Sequence, residues 1–175
     1  METVVLIDEN NNPIGVAPKE SVHTNQTPLH RGFSSFIFNQ KNELLLTKRS
    51  SKKKTFPGVW TNTVCGHPAP GEDVIDAARR RLHDEVGLNV DDLSMVVSNY
   101  RYRCVDIHGI VENEICPILI GHTESEPKPN SEEVDEYKWI DWKELLQDMI
   151  QHKELYSPWS IEEAQIINKT TILSK

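Results

Sequence analysis

The chain has 175 residues, 37% hydrophobic and 26% charged, which suits one globular domain over 1–175 and excludes collagen-like, disulfide-scaffold and strongly disordered classes. Its formal net charge of −8 disfavours a general binder of nucleic acid or of anionic membrane. The longest early apolar run, Val4–Ile7, is far short of the roughly 20 residues of a membrane helix; it follows Glu2 without a basic segment, so neither a membrane span nor a signal peptide is expected.

Val4–Ile7 is predicted as a strand, closed by the turn-rich Asn10–Gly15. Lys19–His30 is polar and irregular. Phe33–Asn39 and Leu44–Arg49 alternate as a hairpin, a basic loop Ser50–Gly58 follows, and Val59–Val64 is strand-like. After a Gly/Pro loop, Glu72–Val86 reads as a helix stopped by Gly87. Val96–Val105 and Ile110–Ile120 read as strands around the turn Asp106–Gly109. Glu124–Glu136 is an acidic, solvated loop, and Tyr137–Ile140 a short strand. Asp141 and Glu144 have N-cap and N3 spacing for a helix that buries Leu145, Leu146, Met149 and Ile150. Ser157-Pro158 opens a last helix with proline at its first position. The mixture predicts an α/β (α+β) fold, a mixed sheet flanked by helices.

The predicted helix Glu72–Val86 carries an anomaly. Val74, Ile75, Ala78, Leu82 and Val86 share one face, and Glu85 falls inside that stripe while Asp84 falls off it. A carboxylate on a buried face must be paired or metal-bound; an ion pair with Arg81, four residues earlier, is one answer and a metal ion the other. Glu112 and Glu114 raise the same question, because residues two apart share a strand face. Two such charges either face water near a strand end or perturb one pKa and recruit a cation. His23, His30 and His67 supply imidazoles that, with carboxylates, suit zinc, manganese or iron. His83, His108, His122 and His152 are ordinary surface residues.

Three cysteines, Cys65, Cys104 and Cys116, are an odd set that predicts reduced thiols in a cytoplasm. Cys104 and Cys116 fit strand cores. Cys65 ends a strand beside Gly66 and His67, where it is either a small buried hydrophobe or a thiol whose neighbours favour thiolate. Lys48, Arg49, Lys52, Lys53 and Lys54 form a basic stretch that is either a solvated face or a phosphate site.

Gly66, Glu72, Arg80, Arg81, Leu82, Asp84, Glu85, Gly87 and Leu88 have the spacing G-x5-E-x7-R-R-L-H-D-E-V-G-L, which resembles the Nudix box. Arg81 and Asp84 depart from it, each standing where the box has glutamate. Further segments, Phe56–Pro68 with its T-N-x-x-C-G-H-P, Tyr100–Arg103, Gly109–Pro117 with V-E-N-E, and Ser157–Trp159, resemble the flavin-independent, type I isomerases of isopentenyl diphosphate, a family of Nudix fold. The resemblance covers about residues 3 to 168.

The resemblance implies an α/β/α Nudix fold and conversion of isopentenyl diphosphate to dimethylallyl diphosphate in isoprenoid biosynthesis. It implies His23, His30, His67, Glu112 and Glu114 as ligands of a divalent metal, Mn2+ or Zn2+, and Glu85 as ligand of Mg2+ bridging to the substrate diphosphate. Cys65 and Glu114 would be the catalytic pair, with Tyr102 and Trp159 lining the pocket. Lys19, Arg49, Lys53 and Arg81 would meet the diphosphate. The expected partner is this small molecule, with no nucleic acid and no membrane, in a monomer or weak homodimer. Two rival readings are a Nudix pyrophosphohydrolase, which Arg81 disfavours by removing a metal-gathering carboxylate, and a non-enzymatic binding module, which has no use for Cys65 and Glu114 together.

Overall fold

A computed structural model describes residues 2–170. In chain order its elements are β1 (Thr3–Ile7), β2 (Pro13–Pro18), the single turn α1 (Lys19–Val22), β3 (His30–Arg31), β4 (Phe33–Phe38), β5 (Glu43–Arg49), β6 (Trp60–Thr61) and β7 (Val64–Gly66). They continue with α2 (Val74–Val86), β8 (Ser94–Val97), β9 (Arg101–Val105), β10 (Val111–Ile115), β11 (Ile118–His122), β12 (Val134–Asp141), α3 (Trp142–Gln151) and α4 (Pro158–Lys169).

The first turn is tighter than Asn10–Gly15. The Asp8 carboxylate accepts from the backbone N–H of Asn10 and Asn12, both at 2.9 Å, so the chain has reversed by Asn12 and Pro13 already pairs with Ile7. The β4–β5 hairpin forms, but the two strands pair only at Phe38 and Leu44 before splaying. The opening is filled by β6 against β5 and β7 against β4. The expected strand Val59–Val64 is therefore split at Asn62–Thr63. Side chains there take over the missing ladder: Thr63 Oγ1 donates to Leu45 O at 2.7 Å and accepts from Ile37 N at 2.9 Å.

Two longer strand expectations are likewise divided between two sheets. One sheet runs β2-β1-β3-β10-β9; the other runs β12-β5-β4-β11-β8. Ile110–Ile120 breaks at Cys116-Pro117, where proline has no N–H to continue pairing. The parallel neighbour breaks level with it, at Gly32 between β3 and β4. Both segments thus cross from one sheet to the other at the same height. Val96–Val105 divides into β8 and β9 in the same way.

The larger sheet is covered on both sides, as an α/β/α sandwich requires. On one face Phe33, Ile37, Leu45, Val64 and Leu119 pack with Ala77, Ala78, Leu82 and Val86 of α2. On the other Phe36, Leu44, Leu46 and Ile118 pack with Trp142 and Leu145 of α3 and Trp159 and Ile167 of α4. Helix α2 starts at Val74 rather than Glu72 because the Asp73 side chain accepts from Ile75 N, and it stops at Gly87 with φ 67°. Asp141 caps α3, accepting from Lys143 N and Glu144 N at 2.9 and 3.1 Å. Its buried stripe is Trp142, Leu145 and Met149; Ile150, expected inside, lies on its flank and is 65% exposed. Tyr137–Ile140 lies within the longer β12, which begins inside the expected acidic loop. All three cysteines are free. Among the described residues no helix is long and apolar enough to cross a membrane.

Candidate active site

The double crossing between sheets opens a cavity of about 410 Å³ whose lining includes His23, His67, Glu112, Glu114, Cys65, Tyr102 and Trp159, with Lys19, Arg49 and Lys53. Register explains much of this grouping. Glu114 pairs with His30 of β3 on one side and with Tyr102 of β9 on the other, and Glu112 pairs with Cys104. Gly32, at the crossing, gives the Glu114 carboxylate its room: a Cβ there would meet Oε2 at 2.0 Å.

Three imidazoles converge on the Glu112 and Glu114 carboxylates. His67 Nε2 lies 2.9 Å from Glu114 Oε1 and His30 Nε2 lies 3.3 Å from it. His23 Nε2 lies 3.1 Å from Glu112 Oε2. Ligand atoms of His23, His30, His67 and Glu114 all lie within 4.8 Å of one another; Glu112, the fifth expected ligand, is not in that group and touches it through His23 alone. All five residues are buried. His23 Nε2, His30 Nε2, His67 Nδ1 and Glu112 Oε2 have no hydrogen-bond partner among protein groups, a donor set that fits a divalent cation. Burial alone would raise the Glu114 pKa, yet the His30 and His67 imidazoles beside it hold it well below the ordinary carboxylate value. Burial lowers His67, while for His30 the Glu114 carboxylate outweighs burial and raises it.

Cys65 stands on β7, opposite Ser34 of β4. Its thiol donates to Asn62 Oδ1 at 3.0 Å. Of the two readings of Cys65, the thiolate-favouring neighbourhood is not found: burial pushes the thiol up to about 12. Asn62 Oδ1 also accepts from Trp159 Nε1 at 3.3 Å. Trp159 stacks on Tyr102 with centroids 5.5 Å apart, and the Arg49 guanidinium lies 5.5 Å from the indole.

The basic residues divide by position. Lys19 pairs with Glu2 at 2.8 Å and Lys53 with Glu133. Arg49 donates to the carbonyls of Thr55 and Phe56 at 2.8 and 3.1 Å, fixing the basic loop over Trp159. Arg81 and Glu85 do not line the cavity; they are joined by the i,i+4 pair, one of the two readings of Glu85, with Arg81 Nε donating to Glu85 Oε1 at 3.0 Å. Arg81 also reaches Glu133 at 3.2 Å. Glu133 is the half-buried carboxylate of the acidic run. Burial raises its pKa, but Lys53 and Arg81 hold it down at about 2, against an ordinary 4.5. A depressed carboxylate stabilises the fold above the unfolded value, and this contribution disappears as pH falls from about 4.5 towards 2. Glu133→Gln should therefore be less stable than wild type at neutral pH, the gap closing between pH 4.5 and 2. Urea unfolding at several pH values reads this, and a gap constant with pH would count against it.

Asn62, Ser34 and Gly32 were not assigned roles from sequence. Asn62 sits inside T-N-x-x-C, where a buried amide three residues before the cysteine was a usable signal. Ser34 and Gly32 carry no local mark, since their importance comes from what β7 and β10 bring beside them.

The NUDIX domain family matches residues 28–159, and the chain belongs to that family. Solved structures agree on the fold: a Deinococcus radiodurans protein superposes with TM-score 0.74 at 19% identity, covering 94% of this chain and 98% of that one. A MutT protein from Methanosarcina mazei gives 0.65 at 20% identity, covering 82% and 97%. Within the family the resemblance is narrower. The Isopentenyl-diphosphate Delta-isomerase of Saccharopolyspora erythraea is 48% identical over 91% of this chain and 82% of its own. Those of Mycolicibacterium vanbaalenii and Klebsiella pneumoniae are 42% and 44% identical, covering 98% and 94% of this chain and 94% and 89% of theirs. This chain is a member of that isomerase family.

Proposed function

We propose that this chain, acting as one catalytic domain, isomerises isopentenyl diphosphate to dimethylallyl diphosphate in isoprenoid biosynthesis. The observation that carries the reading is a thiol, Cys65, and a carboxylate, Glu114, in one cavity whose rim bears Lys19, Arg49 and Lys53 and whose wall bears Trp159 and Tyr102. Moving a double bond by one carbon adds a proton at one carbon and removes one nearby. Protonating an unactivated alkene makes a tertiary cation, which needs an acid, a base and an aromatic face. Cys65 and Glu114 exchange the two protons, and the Trp159 and Tyr102 faces shield the cation from water. The basic residues anchor the diphosphate and so fix the alkene between the pair.

His23, His30, His67, Glu112 and Glu114 would hold the divalent metal, Mn2+ or Zn2+. When bound, such an ion supplies positive charge that orders these side chains and tunes the acidity of Glu114. Glu85 is assigned to Mg2+ accompanying the diphosphate; it offers one carboxylate already bonded to Arg81, so this ion depends on oxygens the substrate brings. The buried Arg81 also weighs against a pyrophosphohydrolase. The net charge of −8 disfavours nucleic-acid and membrane partners, and three free thiols suit a cytoplasm; a monomer or weak homodimer is proposed on the resemblance alone.

Incubation with isopentenyl diphosphate separates the readings: allylic product supports isomerisation, phosphate release a hydrolase, and neither a binding module. Metal binding has its own readout. Mn2+ or Zn2+ at 100 times its Kd should stabilise the metal-free chain by about 2.7 kcal/mol, a rise in Tm of about 5–10 °C, and binding should weaken as pH falls below the histidine range. His23→Asn, His30→Asn and His67→Asn should each remove most of the rise; three unchanged shifts would put the ion elsewhere.

A further inference from the structure

Helix α4 buries Trp159 and, one turn on, Glu163 against the same sheet face. Glu163 is 0% exposed and belongs to no ion pair among the described residues. A carboxylate so placed is costly to keep charged. Its environment agrees: burial, with the charges of Glu114 and Glu162, raises its pKa well above the ordinary value, against the Ser34 and Cys116 contacts. Nothing in the proposed reaction uses it.

Its neighbours form a line that ends in the active site. Cys116 Sγ lies 3.8 Å from Glu163 Oε1, and Ser34 Oγ lies 3.4 Å from Cys116 Sγ and 3.6 Å from Cys65 Sγ. Beyond Cys65 the line stops at Asn62 Oδ1, which can only accept. Asn62 Oδ1 cannot serve otherwise, because its amide Nδ2 is committed to Ser35 O and Val64 O at 3.1 and 3.0 Å. With the thiol proton on Asn62, the Cys65 sulfur is left to accept, and Ser34 is the hydroxyl beside it. Ser34 donating to that sulfur leaves its own oxygen to accept, and the Cys116 thiol is the donor within reach. With Glu163 ionised, the Cys116 thiol donates to its Oε1 at 3.8 Å; with Glu163 in the acid form that contact reverses, and the Cys116 thiol is freed to donate to Ser34 Oγ at 3.4 Å.

We propose that Glu163, as a neutral hydrogen-bond donor, is a positioning residue that orients the Cys65 thiol through Ser34 and Cys116. The inference rests on the isomerase reading. Glutamine also donates, so Glu163→Gln should keep wild-type kcat and KM. Glu163→Leu keeps the volume without the donor and should lower kcat about 10–100-fold with KM unchanged, the scale of a small misplacement of a reacting group.

The test measures kcat, KM and Tm for metal-loaded wild type, Glu163→Gln, Glu163→Leu, Ser34→Ala and the double variant Glu163→Leu/Ser34→Ala. The expected result is Gln at the wild-type rate, Leu and Ser34→Ala both slow but saturating at the wild-type concentration, and the double variant no slower than the worse single one. A folded Leu variant at the wild-type rate overturns the proposal, as does Gln as slow as Leu, or losses that multiply. If Leu does not fold, Gln and Ser34→Ala still decide: Ser34→Ala at the wild-type rate, or a slow Gln, overturns it. Wild type without isomerase activity would instead overturn the reading beneath it.

Discussion

Cys65→Ala should abolish isomerisation while the protein still folds. The substitution removes one sulfur from a half-buried position on β7, a packing loss within the usual range of about 0.5–3 kcal/mol. As one of two proton carriers, however, the thiol should account for about 10²–10⁴-fold or more in rate. Cys65→Ser retains size and a donor to Asn62 but has far poorer acid–base properties, so it should be nearly as inactive. Alkylation of the free enzyme should stop turnover, with bound substrate protecting. Melting curves and the rate of allylic diphosphate formation check this together. A folded Cys65→Ala enzyme running near the wild-type rate would falsify the role of the thiol and with it the choice of isomerase over binding module.

Glu114→Gln should be as severe, by a different route. The substitution preserves shape beside Gly32 but removes the charge that faces His30 and His67. Turnover should fall about 10²–10⁴-fold while diphosphate binding, held by Lys19, Arg49 and Lys53, remains. Glu85→Gln should do the reverse, weakening diphosphate affinity and Mg2+ dependence, because its carboxylate acts from outside the cavity lining, beside Arg81. Calorimetry with inorganic diphosphate and steady-state rates on both variants separate the effects. Equal loss of diphosphate binding in the two would mean the acidic residues are not partitioned this way.

The sequence shows some of this readily and some not at all. The buried Glu85 was legible because one helix period suffices to place it on the apolar stripe of α2. Its partner was also legible, since i,i+4 pairing is local. Cys65, His67, Glu112 and Glu114 were legible through short segments that resemble a family. The breaks at Asn62–Thr63 and Cys116-Pro117 were less so. Strand-forming residues lie on both sides of each break; Pro117 marks the second, but the first is decided by the wedge of β6 and β7. Glu163 could not be read as buried without a partner, because its surroundings come from β4, β7 and the end of β10, up to about 130 residues away in the chain. Glu133 was hidden for the opposite reason: an acidic run looks solvated unless one knows that Lys53 and Arg81 close over one member of it.

The histidine–glutamate cluster also bears on how the molecule assembles. His23, His30, His67 and Glu114 come from segments spread over about ninety residues, and no hairpin contains two of them. Local pairings such as β1–β2 and β9–β10 can close early, since short loops cost little chain entropy. The cluster must wait until β3 has docked beside β10 and β7 beside β4. Contact order thus makes the reaction cavity a late product of folding. An ion held by all four groups would act as a clasp across loops of up to about ninety residues, so the centre that performs the chemistry also ties together segments that meet late in folding.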